Sequence, residues 1–555
     1  MKNSDLSAAG FGRREFLSRA SALTGGAMAA RALFGKAAAS EMVVARTVFG
    51  QVRGARKDGV TVFKGIPYAG SPAGENRFKA APKLEPWTGV RDALVYGAQA
   101  IQAPDPNWSK DWKPPVSDEH CQFLNVWTQG LGDGRKRPVM FYSHGGGFAT
   151  GNGGAEPSPH NMVHDGEALA KDYDVVVVTH NHRLGLLGYL YLGDILGEEY
   201  AASGCAGMLD IAAALQWVHD NIAAFGGDPE NVMIFGESGG GAKTTTLLGL
   251  PAAHGLLHKA SIESGATLRL REKDMATEAT RTVLTTLGLN EKQARELLKI
   301  PAERLRDVQQ EVSSQKPRTA SAPSGASLGF SPVVDGHYIP SHPFDPVAPA
   351  ISADIPILVG TNKDETIFMF KDTPEVFSLD EAGLKQRLQG TLGEKTAHVL
   401  EIYHRTRPKA SPTDLYIAIT TAQWMWTNAI TLAERKAAQR AAPVFMYMFA
   451  YESEAPISPG VAYPTKAAHA LEIGFKFNHP DDTVGSSGKR PERIQAARNM
   501  SKAWATFART SNPSHEGIPK WPQYTPDRRA TMILDAQCTV VDDPYREERI
   551  LWQTF

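Results

Sequence analysis

Apolar residues along this chain gather in short continuous runs, most of them flanked by Gly, Pro or Asn. Runs of this length and composition are typical of strands buried on both faces of a sheet. The clearest are Pro138–Ser143, Val232–Phe235, Pro356–Val359 and Val444–Phe449. Elsewhere a charged helical pattern runs from Glu272 to Gln310. Buried strands separated by helical segments predict an α/β fold.

The run Val232–Phe235 leads directly into Gly236-Glu-Ser-Gly-Gly240, a G-x-S-x-G pattern. This pattern allows a sharp strand-to-helix turn that places a serine at the apex, because small flanking residues let the backbones pass. The next segment, Ala242–Leu250, can continue as a helix whose N-terminal amides point toward Ser238. A glycine-rich turn that merely contains a serine would not need this order of strand, turn and helix. We therefore interpret Ser238 as a nucleophile.

A second glycine run, Gly145–Gly147, follows the strand predicted at Pro138–Ser143 and begins after His144. Loops of this HGGG type direct backbone N–H groups at an oxygen that gains negative charge. We assign Gly146 and Gly147 as donors and the N–H of Gly239 as the third. The alternative, a flexible linker, is not expected immediately after so apolar a strand.

Ordered segments spread over nearly the whole chain resemble the type B carboxylesterases, the cholinesterase and carboxylesterase lineage of the α/β hydrolases. The resemblance implies a central, mostly parallel twisted sheet flanked by helices. The matching segments are Phe63–Ala69, Arg77–Pro82, Pro86–Gly89, Leu124–Trp127, Asn181–Gly188, Leu215–Pro229, Ser264–Gly265 and Trp521–Pro526.

The resemblance also implies the partners of Ser238. The family's acid lies in a segment similar to Val359–Glu365, which indicates Glu365, with the neighbouring Asp364 as the competing carboxylate. The family's histidine lies in a segment similar to Ala467–Ile473, which indicates His469. The order Ser, acid, His is the one expected for an α/β hydrolase.

Three further residues match supporting positions in the family. Ser264 is expected to hydrogen-bond near the acid, and Glu237 and Glu472 resemble buried carboxylates beside the nucleophile and the base. Carboxylates there would favour the imidazolium formed during attack, or they would be purely structural.

The implied chemistry is hydrolysis of a small-molecule carboxylic ester through an acyl-enzyme, without a cofactor. Because the base must be neutral, activity is expected to rise with pH through roughly 6–7, where an ordinary histidine titrates.

The N-terminus predicts export. Gly12–Leu17 contains a twin-arginine pattern, Ala20–Ala30 is weakly apolar, and small residues at Ala37–Ser40 suit cleavage. We interpret residues 1–40 as a twin-arginine signal peptide, too short and too charged to span a membrane, and the mature enzyme as periplasmic or secreted. An ordinary basic tail is the alternative.

Composition fits a soluble enzyme: 42% of residues are hydrophobic, and 59 basic side chains face 60 acidic ones. This balance favours neither nucleic-acid binding nor a membrane span, and no metal motif stands out. Because the candidate site residues extend from 144 to 469, we predict one catalytic domain over 41–555. We expect a cap insertion at about 268–345, with a mobile loop at Lys316–Gly325.

Cysteine usage departs from the family. Cys121 matches a position commonly paired in relatives, yet the expected partner region, Tyr96–Gln102, has no cysteine. The remaining two are Cys205 and Cys538, so we predict no structural disulfide at that loop. The same loop carries Trp108 and Trp112, which would form either a substrate-binding wall or packing anchors.

The sequence does not specify the natural ester, the chain-length preference or the oligomeric state. The same residues would serve amide, carbamate, carbonate or lipid ester substrates. A catalytically silent, cholinesterase-like binding or adhesion protein is the alternative from another class, because such relatives keep the fold while losing triad residues.

Overall fold

The computed structural model describes residues 40–104, 115–154, 164–315, 329–481 and 487–555. Strands within these ranges are β1 Glu41–Thr47, β2 Gly50–Lys57, β3 Val60–Pro67, β4 Val90–Asp92, β5 Phe123–Thr128, β6 Arg137–Ser143, β7 Val176–His180, β8 Gly227–Glu237, β9 Lys259–Glu263, β10 Arg271–Glu272, β11 Val333–Val334, β12 Ile357–Asn362, β13 Val444–Phe449, β14 Ser453–Pro456, β15 Pro464–Lys466, β16 Ala530–Leu534 and β17 Thr539–Asp542.

The α-helices of the same ranges are α1 Glu167–Tyr173, α2 Gly185–Tyr189, α3 Gly193–Leu196, α4 Ala206–Asn221, α5 Gly239–Leu248, α6 Lys273–Thr286, α7 Ala302–Ser313, α8 Glu381–Leu392, α9 Thr396–Thr406, α10 Pro412–Thr421, α11 Thr427–Ala438, α12 Glu472–Lys476, α13 Glu492–Thr510 and α14 Arg546–Trp552. A π-helical turn, Ala422–Trp426, joins α10 to α11.

One large sheet organises the molecule, with strand order β1-β2-β3-β5-β7-β6-β8-β9-β12-β13-β16-β17 and β4 beside β2. The strands from β7 to β16 are parallel, and antiparallel pairs occupy both ends of the sheet. A mostly parallel sheet needs cover on both faces.

The alternation of side chains along β8 shows how both faces are buried. Val232 and Ile234 point into one hydrophobic core, whereas Met233 and Phe235 point into the other. Helix α4 contributes to the first core and helix α13 to the second. This two-sided burial explains why β8 appears in the sequence as a continuous apolar run.

The predicted strands are all present, with small differences in their ends. The run Val444–Phe449 is β13 without change, while the other three runs form parts of β6, β8 and β12. The predicted helix after the nucleophile is α5, which begins at Gly239. Parallel neighbours β6, β8, β9 and β12 all end at the same edge of the sheet, so the loops that follow them meet there.

The segment predicted as a cap, about 268–345, contains β10, β11, α6, α7 and the short helix Glu291–Leu298 in its described part. That it covers the pocket stays a prediction. Residues 1–39, and with them most of the proposed signal peptide, lie outside the described residues, as does the loop predicted to be mobile.

Within the described ranges, one helical stretch, Glu198–Phe225, is long and apolar enough by composition to cross a membrane. In this fold 78% of its most apolar window is buried inside the protein, as expected of a core helix.

Candidate active site

Ser238 occupies a strained turn between β8 and α5. Its backbone has φ 56° and ψ −119°, a conformation that residues other than glycine rarely adopt. Two distances show how tight the turn is. A Cβ atom on Gly240 would lie 2.0 Å from the carbonyl oxygen of Ser143, and one on Gly236 would lie 2.5 Å from the backbone of Gly240. The N–H of Ser238 donates to the carbonyl of Glu263 at 2.9 Å. The chain therefore has the geometry of a nucleophile elbow.

The glycine loop after β6 lies against the start of α5. Gly146 and Gly147 have φ +85° and +63°, the left-handed region that favours glycine. A Cβ atom on Gly239 would lie 2.3 Å from the backbone N of Gly147, so the loop and the helix start are in contact. Among described residues, the N–H groups of Gly146, Gly147 and Gly239 have no acceptor. These three N–H groups therefore have no acceptor from the described part of the chain, as the predicted oxyanion donors require.

His469 lies between two carboxylates. Its Nδ1 is 2.6 Å from Oε2 of Glu365, and its Nε2 is 3.2 Å from Oε1 of Glu237, the residue that precedes the nucleophile. For Asp364, the competing acid, Oδ2 is buried without a hydrogen-bond partner in the described ranges, and the backbone N–H donates to the carbonyl of Ala467. One ring nitrogen thus contacts Glu365, and the other contacts the carboxylate of the residue just before Ser238.

Asn362, the last residue of β12, connects the acid to the base, a role that sequence reasoning missed. Its backbone N–H donates to Oε1 of Glu365 at 2.7 Å. Its side-chain amide donates to the carbonyl of Ala468 at 2.7 Å and to Oε2 of Glu472 at 2.5 Å. An Asn just before a candidate acid is the only signal the sequence offered.

Burial and mutual repulsion set the titration of this cluster. Burial raises the pKa of Glu237 and of Glu472 well above the usual range of a carboxyl. Burial alone would lower the pKa of His469, but the carboxylates of Glu237 and Glu365 outweigh it and raise that pKa to about 9. The base is therefore neutral only at higher pH than the ordinary histidine value on which the sequence expectation rests.

A buried ion pair supports the elbow. It joins Lys476 of α12 to Glu263 at the end of β9, and neither side chain is exposed. Oε1 of Glu263 also accepts from Trp504 Nε1 at 2.6 Å and from Ser261 Oγ at 2.8 Å. The carboxylate is thus paired and hydrogen-bonded, as a buried charge must be.

That Ser264 hydrogen-bonds near the acid stays a prediction. Its backbone N–H donates to the carbonyl of Gly360 at 2.9 Å, while its buried hydroxyl has no partner within the described residues. The backbone N–H of Asn362 donates to the acid. Trp108 and Trp112 lie outside the described residues.

A cavity of about 500 Å³ opens beside Ser238. Small residues (Ala242, Gly265 and Ala266) form part of its wall, and Leu268 and Met425 add apolar surface. Trp424, in the π-helical turn, lines the same cavity, and its ring centre lies 4.9 Å from that of His469. Such turns are frequent at functional sites, but nothing in the sequence pattern identified this one.

No group of three or more His, Cys, Asp or Glu side chains that could hold a metal ion occurs in the described ranges. Cys121, Cys205 and Cys538 are free thiols, and the first two are buried.

A strained serine, a glycine loop packed against the start of α5 and a carboxylate-bound imidazole stand at one edge of a mostly parallel sheet. This fold and this site define an α/β hydrolase.

Comparison with known proteins specifies the family. The model of the carboxylesterase family matches residues 40–552. The chain is 37% identical to the para-nitrobenzyl esterase of Bacillus subtilis, covering 91% of this chain and 97% of that protein. It is 32% identical to the phenmedipham hydrolase of Pseudarthrobacter oxydans, covering 92% and 99%.

The fold agrees as well. The crystal structure of a Geobacillus stearothermophilus carboxylesterase matches with a TM-score of 0.77 and 38% identity, covering 92% of this chain and all of that one. The chain belongs to the carboxylesterase family and is a carboxylic ester hydrolase. The predicted α/β-hydrolase fold and esterase activity are confirmed.

Proposed function

We propose that Ser238, His469 and Glu365 carry out ester hydrolysis through an acyl-enzyme. The observation that carries the proposal is the 2.6 Å contact between His469 Nδ1 and Glu365 Oε2, with the other ring nitrogen 3.2 Å from Glu237, the residue that precedes Ser238.

In the first half-reaction, the Ser238 hydroxyl attacks the ester carbonyl carbon while Nε2 of His469 takes its proton. The carbonyl oxygen gains charge and accepts from the N–H groups of Gly146, Gly147 and Gly239. One such donor is worth about 3–4 kcal/mol in comparable sites. His469 then protonates the leaving alcohol, and the acyl group remains on Ser238.

In the second half-reaction, water attacks the acyl carbon while His469 takes one of its protons. Collapse of the intermediate releases the acid, and the proton returns to Ser238. Glu365 keeps the imidazole oriented and, with Glu237, stabilises its charged form. Glu237 therefore favours the intermediate in which His469 is protonated.

The first experiment compares the mature enzyme with Ser238→Ala on short and medium p-nitrophenyl esters. We expect the variant to lose activity by about 10⁴-fold or more at an unchanged melting temperature. An organophosphate should add one adduct to the wild type, located on Ser238. Ser314→Ala, at the end of α7, is the control and should behave as wild type. Turnover by a folded Ser238→Ala variant would refute the proposal.

We also propose that the substrates are small carboxylic esters with a modest acyl group, since a cavity of about 500 Å³ lies beside Ser238. The profile of kcat/KM against acyl chain length tests this. A steady rise through the longest lipid esters would contradict it.

We further propose that residues 1–40 direct export by the twin-arginine route. The support is the Arg13-Arg14 pattern, together with a family match that begins at residue 40 and a first strand that begins at Glu41. Replacing both arginines by lysine should leave activity in the cytoplasmic fraction of a bacterial host. Unchanged export of that variant, or normal export without the twin-arginine translocase, would disprove the route.

A further inference from the structure

A buried lysine lies directly behind the glycine loop that supplies two of the proposed oxyanion donors. Lys243 belongs to the first turns of α5, the helix that begins right after Ser238, and its side chain is fully buried. Its ammonium donates to the carbonyl oxygen of His144 at 2.8 Å. His144 is the residue from which the loop Gly145–Gly147 starts.

The surroundings of this ammonium contain imidazoles rather than carboxylates. His144, His180 and His182 are all buried, and the His144 and His182 rings stack with centres 5.1 Å apart. Burial lowers the pKa of each of these histidines, so they are neutral. Among the described residues, Lys243 has no carboxylate partner, and burial lowers its own pKa to about 7.

Such a placement is costly. An ammonium without a counter-charge is unfavourable in a protein interior, and an apolar side chain of similar length would fill the same space without that cost. Within the described ranges the Lys243 side chain makes one hydrogen bond, and this bond is therefore the feature to explain.

That bond joins the two elements that provide the oxyanion donors. Helix α5 carries Gly239, and the loop carries Gly146 and Gly147. Their backbones are already in contact at Gly239 and Gly147, but the loop has left-handed glycines that can adopt many conformations. A bond from α5 to the carbonyl at the root of the loop restricts this freedom.

We propose that Lys243 is a positioning residue for the oxyanion hole: its Nζ–H group holds the His144 carbonyl, and so keeps the loop N–H groups aligned with that of Gly239. The inference rests on the proposed function, because it assumes that these three N–H groups bind the reacting oxygen.

The test compares wild type with Lys243→Met, which has similar length but no donor, and Lys243→Gln, which keeps a neutral donor. We expect Lys243→Met to lower kcat by about 10- to 100-fold, a part of the effect of losing one donor outright, with KM changed less than twofold. Lys243→Gln should recover part of the loss. Thr246→Val, on the same helix, is the control, because the hydrogen bond that Thr246 Oγ1 makes in the described part of the chain stays within α5.

A second readout separates alignment from general damage. A trifluoromethyl ketone forms a tetrahedral adduct whose oxygen occupies the oxyanion hole, so its affinity should weaken by the same factor as kcat/KM. A folded Lys243→Met with wild-type kcat, or with reduced kcat and unchanged ketone affinity, would overturn the inference. If Lys243→Met does not fold, the same criteria apply to Lys243→Leu, which also lacks a donor.

Titration with an organophosphate keeps this result distinct from the proposed mechanism. Wild type without an adduct on Ser238 would mean that the mechanism itself fails. Stoichiometric labelling of wild type and of both lysine variants, with equal turnover per labelled site, would remove only the role of Lys243.

Discussion

His469 illustrates how single residues set the chemistry of this enzyme. The imidazole contacts Glu365 through one nitrogen and Glu237 through the other, and both carboxylates are buried. In such a site, opposite charges act strongly because little water screens them. The pair of carboxylates stabilises the protonated ring. In the proposed mechanism this favours proton transfer to His469, but it also raises the pH above which the imidazole is neutral.

The first prediction concerns Glu237→Gln. The neutral amide no longer stabilises the imidazolium, so the pKa of His469 should fall from about 9 toward the ordinary value. Because activity requires the neutral base, the rising limb of kcat/KM should move to lower pH. A full pH–rate profile with a p-nitrophenyl ester measures it.

Glu452→Gln is the control for this shift, because Glu452 is partly exposed and pairs with Lys363. Its profile should match that of wild type. If the rising limb of kcat/KM stays at the same pH in Glu237→Gln, or shifts equally in both variants, Glu237 does not set the pKa of His469.

At the scale of elements, the junction of β8 and α5 depends on glycines, because there is no room for a side chain. Gly240 lies so close to the end of β6 that a Cβ atom would meet the carbonyl oxygen of Ser143 at 2.0 Å. That oxygen belongs to the backbone of a central strand and cannot move without disturbing the sheet.

The second prediction is therefore that Gly240→Ala separates α5 from β6, reducing kcat/KM by at least about 100-fold because misplacement by 1 Å is already that costly. Soluble yield and melting temperature should also fall. Activity assays and thermal melts measure these effects.

A glycine in an open position gives the matched comparison. Gly390 lies inside α8, and an added Cβ atom there meets nothing within 4 Å. Gly390→Ala should leave activity unchanged and stabilise the protein by up to about 1 kcal/mol, because alanine is the better helix former. Equal behaviour of the two variants would contradict the argument from close approach.

At the scale of the whole molecule, the ion pair of Glu263 and Lys476 joins the sheet to the helices on one of its faces. Glu263 ends β9, Lys476 lies on α12, and Trp504 on α13 donates to the same carboxylate. Removing one partner of a fully buried pair leaves an uncompensated charge, whereas removing both does not.

The third prediction is that Lys476→Met destabilises the fold by about 3–5 kcal/mol, and that adding Glu263→Gln recovers part of this loss. The midpoints of denaturant unfolding, followed by tryptophan fluorescence, measure both. Lys502→Met, which breaks an exposed pair with Glu516, should cost less than about 1 kcal/mol. A double variant that is less stable than Lys476→Met would contradict the expectation.

Much of the fold could be predicted because its signals are local. The strands buried on both faces appear as continuous apolar runs, and the elbow needs glycines at fixed spacing around Ser238, so both are visible without any long-range contact. The assignments of Glu365 and His469 came from resemblance to a family, since neither residue has a local pattern that distinguishes it from the neighbouring Asp364 or from the other histidines.

What only the tertiary structure decided concerns contacts between segments far apart in the sequence. Three contacts depend on where strand ends and helices meet: that of Asn362 with Glu472, that of Trp424 with His469, and that of Lys243 with the His144 carbonyl. The raised pKa of His469 has the same origin, because the approach of two carboxylates, which outweighs the opposing effect of burial, follows from packing. The sequence by itself determined the elements and the residue types of the site. The tertiary structure decided the partners and charges of those residues, because electrostatic interactions depend on distances in space and not on separation along the chain.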